Sequence, residues 1–183
     1  MPKGNSNLPA YLRSGRLDWP VVVHSLRTAV AAVVSVAVAG LARLPEAYWA
    51  PVTTLVIAQS SLGAALAISR QRFAGTALGA AVSALVATYF GPRVFVFGGC
   101  VFFLGLLCAL AHLDRNAYRF GGVTLEIVLL IPRAAPAWKT AFDRFAEVSI
   151  GIGVALLLTM VWPEVEHAAA ANQWISTSSL GGF

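Results

Sequence analysis

Glu126 stands alone in an apolar run that opens at Gly121-Gly122 and stops at Pro132. An ionisable side chain inside such a run is costly and ordinarily faces a cavity or a charged partner. Two roles are open to it: carrying a proton or coupling to a substrate, and pairing with Arg119 or Arg133 near a membrane surface. Arg27 follows His24 by about one turn on the same helical face. Together they make a basic, titratable patch, or a side chain that snorkels to lipid headgroups. The segment Tyr48-Trp49-Ala50-Pro51-Val52-Thr53-Thr54 is denser in chemistry. Pro51 suits a first helical turn; Tyr48 and Trp49 suit stacking on a ring or anchoring at an interface; Thr53 and Thr54 carry hydroxyls into apolar depth. Gln59 is a polar group within an apolar run, suited to an interhelical hydrogen bond or a substrate contact. Arg70, Arg72, Lys139 and Arg144 flank apolar runs. Such cations orient a chain in the membrane and also attract anions to a vestibule.

Other chemistries find no support. The three histidines are far apart, and the sequence has no His-x-x-x-His, nucleophile elbow or phosphate loop. An enzyme, a metal site and a bound cofactor are therefore not expected. Cys100 and Cys108 share one apolar run, eight residues apart, and suggest neither a disulfide nor a metal ligand pair. The net charge of +5 comes from basic residues scattered singly between apolar runs, without the stripe that nucleic acid requires. No cleavable leader is expected, because residues 1–27 are too long and too mixed for one.

The elements that must hold these residues are membrane helices. Hydrophobic residues are 58% and charged residues 11% of 183, with mean hydropathy +0.74, whereas soluble domains carry about 25% charged residues. Spanning about 30 Å of hydrocarbon takes about 20 apolar residues in a helix. Six segments approach that length: Val21 to Leu44, Ala47 to Ser69, Phe73 to Gly91, Val94 to His112, Phe120 to Ile131 and Glu147 to Trp162. The fold class expected is an all-α integral membrane protein of about six helices. Residues 1–18 form an N-terminal tail, 19–163 the transmembrane domain and 164–183 a C-terminal tail. The short fifth segment either spans or is re-entrant. With six crossings and the N-terminus inside, Lys3, Arg13, Arg16, Arg27, Arg70, Arg72, Arg115 and Arg119 lie inside and five basic residues outside; a re-entrant fifth segment would move Arg133, Lys139 and Arg144 inside as well. Charge alone favours the second arrangement.

An internal repeat favours the first. Ala47-Tyr48 returns as Ala117-Tyr118, and Thr54-Leu55-x-Ile57 as Thr124-Leu125-x-Ile127, each 70 residues on. Arg72-Phe73-Ala74 returns as Arg144-Phe145-Ala146, and Gly79 as Gly151, each 72 on. Units of three helices place the second unit upside down in the membrane. Gly121-Gly122 then occupies the place of the Pro51 region, a paired interruption that points to a binding site. Gly75-x-x-x-Gly79 with Ser83 is read as a close-packing stripe.

The succession His24-Ser25-Leu26-Arg27-Thr28-Ala29, Tyr48-Trp49-Ala50-Pro51-Val52-Thr53 and Ser69-Arg70-x-Arg72-x-x-Gly75-Thr76-x-x-Gly79 resembles the membrane domain of the fusaric acid resistance family, the aromatic acid exporters. Arg144-Phe145-x-Glu147-Val148-x-x-Gly151 with Trp162-Pro163 is similar to the end of that domain, so the resemblance covers about Pro20 to Pro163. It implies a bacterial inner-membrane domain of about six helices, efflux of aromatic carboxylates, and kinship with plant anion channels for malate. By position it assigns Arg27, Tyr48, Trp49, Thr53, Arg72 and Thr76 to the family's recurring polar and aromatic set. Many members join two such units or add a large soluble domain, so a homodimer or a partner membrane subunit is expected here. The resulting expectation is a multi-pass carrier in membrane lipid that exports organic anions with possible proton coupling. Arg27 and Arg72 would attract the carboxylate, Tyr48 and Trp49 would hold the ring, Gln59, Thr53 and Thr76 would line the path, and Glu126 would carry the proton. An anion channel and a non-transporting accessory subunit are the alternatives.

Overall fold

The computed structural model describes residues 19–58, 61–91, 93–131 and 135–162. Both expected tails, Gln59 and Arg133 lie outside the described residues. Among those described there are six helices: α1 Trp19–Leu41, α2 Trp49–Ile57, α3 Leu62–Phe90, α4 Val94–Leu110, α5 Arg115–Leu130 and α6 Ala137–Val161.

Two boundaries differ from the sequence expectation. Ala47 to Ser69 is not one span: α2 stops at Ile57, and Ser61, in extended conformation, accepts a bond on its hydroxyl from the backbone N–H of Ala64 and starts α3. Hydroxyl capping of a free helix end competes well with continuation of a helix through polar residues. Helix α3 then runs straight through Arg70 and Arg72, which the sequence reading places in a connection. Pro51 stays in the first turn of α2, where its missing N–H would have had no helical partner. Helix α6 starts just past Pro136, about ten residues before the expected Glu147, and so takes Lys139, Asp143 and Arg144 into its length. Helix α5 is unbroken through Gly121-Gly122. That pair is not an interruption.

The glycines serve close approach instead. A Cβ on Gly75 would strike the Ala117 backbone, and one on Gly79 the Gly121 backbone. These contacts align α3 parallel with α5. Phe73 meets Phe145 in a tilted arrangement at 5.1 Å between ring centroids, Ala80 packs with Ala141, and Ala65 with Val148 and Ile152. Helix α3 is thus antiparallel to α6. Gly151 meets the backbone of Ala50 and the side chain of Thr53, while Ile57 packs near Ala155, so α2 runs parallel to α6 and doubles back on α3. Helix α1 covers α2 and α6, and α4 covers α5 through Leu104 and Cys100.

The second three helices repeat the first with direction reversed. Gly79 seats α3 against α5, and its counterpart Gly151 seats α6 against α2. The outside is apolar: Val33, Leu41, Phe95, Phe102 and Val161 are all well exposed. A soluble monomer rarely carries so extensive an apolar surface. Helices α1, α3 and α6 are long and apolar enough to cross a membrane, and α4 is a shorter apolar helix. The molecule is an all-α membrane protein.

Candidate functional site

Its interior is polar where its exterior is not. Arg27, Arg72, Arg144 and Glu147 are buried, together with hydroxyls from Thr53, Thr54, Ser69, Thr76, Thr124 and Thr140. Helical spacing produces this stripe. Ser69, Arg72 and Thr76 recur every three or four residues on α3, as do Thr140, Arg144 and Glu147 on α6, and these are the faces the two helices turn inward.

Arg72 donates through Nε to the Thr53 hydroxyl oxygen at 3.2 Å, and Thr53 in turn donates to the carbonyl of Trp49. The Arg72 guanidinium carbon lies 4.7 Å from the centroid of Phe120 on α5. Arg144 repeats this on the other unit, 4.2 Å over the ring of Trp49 on α2. Each arginine of the repeat therefore rests on an aromatic ring of the helix that its neighbouring glycine brings close. Arg144 also donates through Nη1 to Glu147 Oε2 at 2.8 Å. The ring of Trp49 is fixed by its indole N–H, which donates to Glu46 Oε2 at 3.0 Å. Beside this group lies a cavity of about 50 Å³ between the α1–α2 connection and the start of α6, lined by Glu46, Thr140, Asp143, Arg144 and Glu147. Thr54 ties α2 to α6 by donating to the Gly151 carbonyl at 3.1 Å.

Of the residues singled out by sequence, Trp49, Thr53, Arg72 and Thr76 come together here. Tyr48 is exposed, its ring centroid 5.7 Å from that of Trp49. Arg27 is buried elsewhere: it donates to the Trp162 carbonyl at 3.1 Å. That places it at the far end of α6, 18 residues or about 27 Å from Arg144. Glu126 is exposed on the outer face of α5, and the structure does not bring it into the cluster. Glu147, Phe120 and Glu46 are absent from the sequence reading of the site, and Arg144 enters it only as a cation that could attract anions to a vestibule. The repeat itself was the available signal for Arg144, since it occupies the position of Arg72 in the second unit.

A second cleft, of about 320 Å³, opens where the α4–α5 turn meets α3, beside Arg70, Gln71, His112 and Asp114. Gln71 donates to Asp114 Oδ2 at 2.6 Å and accepts from Asn116.

Fold and site together define an all-helical membrane protein with a buried arginine pair on aromatic platforms. Residues 21–178 match the fusaric acid resistance protein family, and the chain belongs to it. It is 29% identical over 173 residues to the "Uncharacterized transporter YdhK" of Escherichia coli (strain K12), covering 90% of this chain and 25% of that protein. A relative of the same name in Salmonella typhimurium is 27% identical over 156 residues, 80% of this chain and 23% of that protein. The "Inner membrane protein YeeA" of Escherichia coli (strain K12) is 28% identical over 152 residues, 78% of this chain and 41% of that protein. The chain thus spans about a quarter of the length of the YdhK relatives. No solved structure matches it.

Proposed function

We propose that this chain is a multi-pass transport unit of a bacterial inner membrane that moves organic anions outward, aromatic carboxylates foremost. The observation that carries this reading is the buried pair of arginines on aromatic rings, Arg72 over Phe120 and Arg144 over Trp49. A guanidinium held in the interior of a membrane protein marks a path for a substrate or ion, and its planar fork fits a carboxylate. Arg72 and Arg144 hold the carboxylate, and Trp49 and Phe120 offer flat faces beneath them for an aromatic ring. Thr53 and Thr76 line the path, and Arg27 draws anions at its far end. The name of the YdhK relatives supports transport, and that of YeeA supports the inner membrane.

Glu126 keeps two roles. It couples transport to protons, or it faces a second copy of the unit across α5, where Arg119 is exposed as well. Arg119 and Glu126 on one exposed face of α5 favour the second role, and with it a unit that works as a homodimer or with a partner membrane subunit.

The test is flux of benzoate in proteoliposomes of the purified protein, with and without a pH gradient, for wild type, Arg72→Gln and Glu126→Gln. Wild type is expected to move benzoate well above protein-free vesicles. Loss of a charge-assisted bond lowers the Arg72→Gln rate about tenfold or more. Loss of gradient dependence in Glu126→Gln would assign the coupling. Wild-type flux no greater than that of empty vesicles would defeat the carrier reading.

A further inference from the structure

Glu147 is a carboxylate already bound where the substrate carboxylate is expected. Its side chain is fully buried, and its two oxygens differ: Oε2 accepts from Arg144, whereas Oε1 has no hydrogen-bond partner among the described residues. A buried carboxylate oxygen left bare is rare in a settled ion pair. The pair also borders the cavity of about 50 Å³, which has room for water. The charged groups that face Glu147 are Arg144 and Asp143 from its own helix and Glu46 from the α1–α2 connection; Arg72, on α3, faces Arg144. Among the described residues, Glu147 without Arg144 would therefore see only other carboxylates.

We propose that Glu147 is a tethered competitor for Arg144, holding the guanidinium until a substrate carboxylate displaces it. This rests on the reading of Arg144 as part of the anion site. In the exchange, the Arg144–Glu147 pair, a free carboxylate and one proton become an Arg144–substrate pair and a protonated Glu147. The only covalent bond formed is the O–H of Glu147, and no electrons are transferred. The proton arrives through the cavity, because a freed Glu147 beside Glu46 and Asp143 is unfavourable as an anion. Trp49 stays beneath Arg144 throughout, so the platform is fixed while the acceptor changes. Return of Glu147 to Arg144 as its proton leaves ejects the substrate.

The experiment is equilibrium binding of radiolabelled benzoate to the detergent-solubilised full chain between about pH 6 and pH 8, with proton uptake followed by an indicator dye in weak buffer. Uptake of a proton on binding makes wild-type affinity fall by up to about tenfold per pH unit as pH rises, with up to one proton absorbed per benzoate. Glu147→Gln is expected to bind about tenfold or more tighter at the alkaline end, with affinity flat in pH. Wild-type binding that is flat in pH and absorbs no proton overturns the competitor while leaving the anion site standing. Glu147→Gln that binds with the wild-type affinity and slope overturns it equally. The proton measurement uses wild type alone, so it decides the matter even if the variant does not fold. No benzoate binding by wild type at any pH defeats the anion site, and the competitor with it.

Discussion

At the scale of single residues, the Arg144–Glu147 pair sets a sharp expectation. Removing one member of a buried ion pair strands the other, at a cost of about 3–5 kcal/mol, whereas replacing both by apolar groups is often neutral. Arg144→Ala should therefore lower stability by about that amount in denaturant titrations of the solubilised protein. The double variant Arg144→Met with Glu147→Leu should recover it while still failing to transport benzoate. Recovery of flux along with stability would mean the pair is a strut and no part of an anion path. These residues were legible and yet misplaced. Arg144-Phe145-x-Glu147 stands out as a motif, but a count of charge-free residues excludes the first half of α6 and leaves Arg144 flanking the helix. The error runs the other way for Glu126. An acid amid apolar neighbours looks central in a sequence, but centrality along a helix says nothing about which face it occupies, and the exposed face of α5 holds it.

At the scale of elements, glycine separates two kinds of helix contact. Gly79→Ala places a Cβ into the Gly121 backbone, which cannot yield as a flexible side chain would. It should cost about 1–3 kcal/mol, the range of overpacked interiors, seen as a lowered Tm. Gly98→Ala on α4 meets nothing within 4 Å and should be neutral or slightly stabilising, since alanine is the better helix former. Equal effects at both sites would argue against the close α3–α5 seam. The small-residue stripe on α3 was readable because interhelical approach demands it at fixed spacing. The α2–α3 break was not, because apolar length outweighs a single serine cap when windows of sequence are scored. The repeat is the clearer signal, since its matched arginines each lie over an aromatic ring and its matched glycines each meet a neighbouring backbone.

At the scale of the whole molecule, Arg27 near the start of α1 meets Trp162 at the end of α6, so the two ends of the domain lie at one end of the helix bundle. Reporters fused ahead of α1 and after α6 should accordingly give the same sidedness, and opposite readings would remove one crossing and the inverted pairing with it. Helix α3 adds a constraint of another kind. Its 29 residues extend about 43 Å against about 30 Å of hydrocarbon. Both its ends are apolar, with Leu62 and Leu66 at one and Leu85, Tyr89 and Phe90 at the other, so projecting into water is no relief. The excess length is taken up by tilt, and the seams with α5 and α6 oblige those helices to lean with it. Bilayer thickness thereby becomes a thermodynamic variable of the fold: longer lipid chains stand α3 more upright, shorter ones lay it flatter, and the spacing of the two arginines follows the acyl chains around them.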